Sequence, residues 1–118
     1  MLFRSLVSRV FSTRNAVHLA HWKTNSFAKH TALGDLYEEL IEQIDKFVEI
    51  YQGANELIEK PKPRNVDPDD IVKHLEAEAE WIEANMDELS GGVRALENVL
   101  QDLSGTYYHA LYKLRFLS

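Results

Sequence analysis

Four times along the chain, apolar side chains recur at steps of three, four and seven. That pattern confines the sequence to an all-α fold. The first segment runs from about Leu2 to Lys23, with Phe3, Val7, Val10, Val17 and His21 on one broad face. Thr24, Asn25 and Ser26 form a polar break, and Asn25 or Ser26 can cap the next helix. The second segment runs from about Phe27 to Gln52, with room to continue past Gly53, and carries Leu33, Tyr37, Leu40, Ile44, Phe47 and Tyr51. Lys60-Pro61-Lys62-Pro63 stops any helix, because proline lacks an amide donor and restricts the residue before it. Asp67 is the expected N-cap of the third helix, with Pro68 in the first position and Asp69 and Asp70 at the positive end of the dipole. Ile71, Leu75, Ala79, Ile82, Met86 and Leu89 follow in a heptad-like pattern. Ser90-Gly91-Gly92 is the expected turn into a fourth segment, which carries Val93, Leu96, Leu100, Leu103, Tyr107, Leu111, Leu114 and Leu117.

No strand alternation competes with this pattern, and no internal repeat is visible. The expected architecture is an antiparallel four-helix bundle forming one domain over residues 1–118. The loop around residues 60 to 67 is the longest connection and can cross from one end of a bundle to the other.

No apolar run approaches twenty residues, so no membrane span is expected. The absence of cysteine excludes disulfides, thiolate metal sites and a cysteine nucleophile. Any metal must be held by His, Asp and Glu, which suit iron, zinc or manganese. The formal net charge of -6 is uneven. No acidic residue precedes Asp35, whereas Arg4, Arg9, Arg14, Lys23 and Lys29 do. With Ser5, Ser8 and Ser12, this basic stretch also has the composition of a transit peptide, although its helical period suits a bundle helix better. Overall acidity argues against a broad nucleic-acid surface, so DNA binding is not expected. The Lys60–Arg64 patch reads as solvated linker.

His18, His21, Trp22 and His30, followed by Asp45 and Glu49, form the unusual cluster. His18 and His21 are neighbours on a helix face, as are Asp45 and Glu49. Taken alone, such pairs are commonplace on an acidic helix. Geometry adds a constraint: His30 and Asp45 lie fifteen residues apart on one helix, a separation of roughly 22 Å, with an angular offset of only about 60°. They cannot share an ion within one chain. Two copies of the helix, antiparallel about a twofold axis, could bring His30 of one to Asp45 and Glu49 of the other at two equivalent sites.

The stretch from Ala20 to Gly53, AHWKTNSFAKHTALGDLYEELIEQIDKFVEIYQG, resembles the first two helices of Dps proteins, the miniferritins of the ferritin-like superfamily. The His21-Trp22 dipeptide is similar to that family's signature, as is the spacing of His30, Asp45 and Glu49. The resemblance implies a ferritin-like bundle and a ferroxidase site between twofold-related subunits. It implies His21 and His30 as iron ligands and catalytic residues from one chain, with Asp45 and Glu49 from its mate. Trp22 would lie near the metal as a packing and redox-buffering aromatic. The interval between the two histidines is about three residues shorter than is usual in the family, which makes His18 an alternative to His21. The chain is also short for the family, so the contacts of the hollow shell do not carry over. In length it is similar to Dps-like proteins encoded by some phage genomes.

The implied activity is Fe(II) oxidation and sequestration by a homo-oligomer, a twofold dimer or a larger shell. The expected location is the cytoplasm of a bacterial or phage-infected cell, or the virion. The rival expectation is a non-enzymatic phage assembly protein that keeps the bundle without the chemistry, using Leu2, Phe3, Leu6, Val7, Val10 and Phe11 for partner contacts. The Glu-x-x-His pairs of larger ferritins are missing. His109, Glu76, Glu80 and Glu83 read as surface residues, His74 as a local contact to Asp70, and Trp81, Tyr107, Tyr108 and Tyr112 as packing. No phosphate loop or nucleophile elbow is present.

Overall fold

Each helix boundary is set by a group that takes over backbone hydrogen bonds the helix cannot make for itself. A computed structural model describes residues 2–117, which hold four α-helices and no strand. They are α1 (Leu2–Lys23), α2 (Phe27–Ala54), α3 (Ile71–Ser90) and α4 (Arg94–Phe116). Ser26 caps α2, its hydroxyl accepting from the Lys29 amide at 3.2 Å. At the far end, the Asn55 amide donates to the Tyr51 carbonyl. Gly91 closes α3 in the left-handed region at φ 56°, which an L side chain would resist, and its amide donates to the Asp87 carbonyl.

The cap of α3 differs from expectation. Asp70, not Asp67, receives the first amides, its Oδ1 accepting from Val72 at 3.0 Å and Lys73 at 3.2 Å. Pro68 therefore lies before the helix, and Asp67 faces Lys23 at 3.5 Å. The chain stays extended for three more residues because it is still travelling along α1.

The helices lie in the ring order α1–α2–α4–α3, each against two others. The three-residue link Thr24–Ser26 makes α1 and α2 antiparallel. Contacts of Thr13 with His74 and of Arg9 with Glu78 set α3 antiparallel to α1. Gln43 with Thr106 and Asp35 with Lys113 do the same for α2 and α4. All neighbouring pairs are thus antiparallel, and the crossover from α2 returns the chain to the end where α2 began. The long axis of 44 Å is close to the roughly 42 Å that the 28 residues of α2 span.

The periodic stripes meet in one core: Leu6, Val10, Val17, Leu40, Ile44, Leu75, Leu100 and Leu103 are essentially inaccessible. Leu6, Val7 and Val10, expected to meet a partner, are instead consumed by this intrachain core. Leu117 falls just beyond α4 and is largely exposed. Large exposed apolar residues gather at this same end, where Leu19, Trp22 and Phe27 flank the first link and Tyr112 and Phe116 end α4.

The crossover, residues 55–70, is docked rather than free. Its contacts climb α1 in order: Glu59 to Arg4, the Lys62 amide to Ser8 Oγ at 3.0 Å, the Arg64 amide to Ser12 Oγ at 2.8 Å, and Asp67 to Lys23. Two extended residues advance about 6.6 Å and four helical residues about 6 Å, so alternate amides match hydroxyls one turn apart. Pro61 and Pro63 occupy the intervening positions, where no amide is required.

Candidate metal centre at the first helix link

The three-residue link holds the last turn of α1 against the first turn of α2, and with them His21 against His30. Their rings stack with centroids 3.7 Å apart and planes 18° from parallel. Each ring also bonds the other's backbone. His21 Nδ1 lies 2.6 Å from the His30 carbonyl oxygen, and His30 Nδ1 lies 2.8 Å from the His21 carbonyl oxygen. A carbonyl only accepts, so both Nδ1 atoms carry hydrogen and donate. In the neutral rings, both Nε2 atoms then hold the lone pair. That is the tautomer a metal-binding imidazole needs, fixed by the kind of backbone contact that orients such ligands.

Gly34, one turn beyond His30, makes the arrangement possible. A Cβ at this position would stand 3.0 Å from His21 Cε1 and 3.2 Å from Nδ1, so any side chain would crowd the ring. His18 stacks on Tyr37 at 4.0 Å and lies 4.5 Å from Trp22. Desolvation of the ring, then the charges of Arg14 and His21, lower its pKa below the ordinary imidazole value. His18 is therefore engaged with aromatic neighbours, and its ring centre is 6.2 Å from that of His21. Trp22 is about two-thirds exposed.

Two of the four sequence-predicted ligands, His21 and His30, are thus brought together. Asp45 and Glu49 are exposed farther along α2, about 22 Å or more from His30. Among the described residues of one chain, no group of three or more His, Asp or Glu is gathered to hold a metal.

A second polar assembly is invisible to a count of apolar periods. Thr13 is fully buried and Glu78 nearly so, between α1 and α3. Arg9 pairs with Glu78 at 2.8 Å and lies over the Trp81 ring at 4.5 Å. The His74 amide makes the expected local contact with Asp70, donating to its carbonyl at 3.1 Å, while the ring reaches the neighbouring helix, its Nε2 lying 2.9 Å from Thr13 Oγ1. Tyr107 is buried beside this cluster. Burial and the Glu78 charge push its hydroxyl well above the usual phenol pKa, partly offset by a hydrogen bond with Thr13 and by Arg9. The other candidate carboxylates have structural partners: Glu76 pairs with Arg115 at 2.6 Å, and Glu83 accepts from Ser104 at 2.5 Å. His109 and Glu80 are exposed. Among the described residues, no helix is long and apolar enough to cross a membrane.

An uncharacterised 14.6 kDa protein of Enterobacteria phage T4, from the mobD-ri intergenic region, is 28% identical over 99 residues. The match covers 82% of this chain and 75% of the phage protein. No solved structure matches. Neither comparison indicates a Dps or ferritin-like family. The profile that does match covers residues 21–114, from His21 through nearly all of α4, and the chain belongs to that group, the family of unknown function DUF5856.

Proposed function

We propose that the protein is a ferritin-like four-helix bundle of the Dps type, which pairs about a twofold axis and binds Fe(II) between subunits. The observation that carries this reading is the reciprocal clamp of His21 and His30. It sets both imidazoles in the tautomer that leaves Nε2 free to bind a metal. Asp45 and Glu49 of a second copy supply the hard oxygen donors that favour the ferric product, while the imidazoles hold the ferrous ion. Each Fe(II) gives up one electron. Two such electrons and two protons reduce one peroxide to two waters, and dioxygen is the alternative oxidant. Trp22, exposed beside the pair, stands where it would buffer a stray oxidising equivalent. The T4 relative supports action within an infected bacterial cell.

Anaerobic Fe(II) titration followed by peroxide tests this reading. The wild-type chain should bind iron saturably and show an iron-dependent absorbance rise. Asp45→Ala with Glu49→Ala should abolish both without unfolding the helices. Equal behaviour of wild type and variant would favour the second reading, a homo-oligomeric phage assembly protein without iron chemistry. The exposed Leu19, Trp22, Phe27, Tyr112 and Phe116 at one end of the molecule support that second reading.

A further inference from the structure

The crossover does more than connect α2 to α3. Where it lies along α1, it roofs a cavity of about 440 Å³ between itself, α1 and the first turns of α3. That volume falls within the range of small-molecule sites. Its charge is opposite to that of the molecule. The chain as a whole carries -6, yet four cations, Arg4, Arg9, Lys62 and Arg64, line this cavity against one acid, Glu78, with His74 beside it. Arg4 is matched by Glu59, and Arg9 by Glu78. Lys62 and Arg64 have no acidic partner among the described residues.

The backbone accounts for this concentration. Pro61 and Pro63 hold the crossover extended, and residues two apart on an extended chain share a face. Docking the Lys62 and Arg64 amides onto Ser8 and Ser12 therefore presents both side chains to one region. Two unmatched cations presented to one region repel each other and are relieved by a multivalent anion. The planar fork of an arginine and the point charge of a lysine suit phosphoryl oxygens.

We propose that this cavity binds a small phosphorylated ligand, its phosphoryl group held by Lys62 and Arg64 and its remainder enclosed between α1 and the crossover. The site is separate from the histidine pair and does not depend on the iron reading.

Calorimetric titration of the full chain at low ionic strength, with inorganic pyrophosphate and with ADP as probes, tests it. The expected result is saturable binding of at least one probe at one site per chain. Lys62→Gln with Arg64→Gln should weaken it by about tenfold or more, as expected for loss of charged hydrogen bonds. Both side chains are exposed, and circular dichroism should show the helices retained. Lys46→Gln with Arg94→Gln, which removes the same charge elsewhere, should bind as wild type does. Tighter binding of ADP would assign a nucleoside ester, and binding of pyrophosphate alone a compact diphosphate; either supports the site. No saturable binding of either probe, undiminished binding by the cavity variant, or an equal loss in the control would overturn it.

Discussion

The first and second helix links solve opposite problems. The first has three residues and must bring two helix ends together; the second has sixteen and must return the chain along the whole molecule. The short link is locked by the histidine clamp and by the Ser26 cap, so its order is local. The long link is locked by α1, whose serines receive its amides, so its order is borrowed from a helix more than fifty residues away. A short connection can thus position chemistry with its own residues. A long one acquires a defined shape only where a neighbouring element offers partners at matching spacing.

Damage beneath the long link should have the largest effect on stability. Glu78→Ala removes the buried partner of Arg9 and an acceptor near Thr13, and should cost about 2–3 kcal/mol in urea unfolding, below a fully buried pair because Arg9 reaches solvent. Loosening the link itself should cost less. Ser8→Ala with Ser12→Ala should remove about 1–2 kcal/mol and speed hydrogen exchange at the Lys62 and Arg64 amides, with α2 amides unaffected. If those two amides already exchange freely in the wild type, the crossover is not docked and the contrast fails.

The short link should answer in affinity more than in stability. Gly34→Ala gains up to about 1 kcal/mol of helix propensity but crowds the His21 ring. Thermal stability should therefore stay nearly level while Fe(II) binding weakens about tenfold, as for disturbed metal-ligand orientation. The smallest effect is a pH slope. Because the fold lowers the His18 pKa, the unfolded chain takes up this proton first as pH falls through its ordinary value of 6.5. This group's contribution to stability is complete above that pH and declines below it. His18→Gln should flatten stability against pH on the acid side, relative to wild type.

Much of this architecture could be read from residue spacing, because each core stripe obeys the helical period and each break carries proline, glycine or a capping side chain. Helix α1 begins and ends where its pattern does. At the α3 start, Asp67-Pro68 satisfies the local rule for a helix start, whereas docking along α1 keeps the chain extended until Asp70. Ser8 and Ser12 one turn apart, facing amides alternating with prolines, were a readable signal for that docking. It involved pairing a helix with an extended segment, which period counting does not do. Thr13 and Glu78 escaped for a similar reason, since polar residues on an apolar face look like interruptions until their partners are known. The pairing of His21 with His30 is implied by the resemblance to Dps proteins, but their carbonyl clamp depends on atomic geometry. The candidate role of Asp45 and Glu49 depends on a second molecule, so no property of one chain displays it.

Mixing two complementary variants tests the intersubunit site most directly. One chain carries His21→Ala and His30→Ala; the other carries Asp45→Ala and Glu49→Ala. Each alone should fail to bind Fe(II). After co-refolding in equal amounts, random pairing about a twofold axis should restore about a quarter of the wild-type sites, because each mixed dimer rebuilds one intact site and one doubly defective site. A mixture that binds no more iron than its separate components, while mass measurement shows mixed dimers present, would contradict the account.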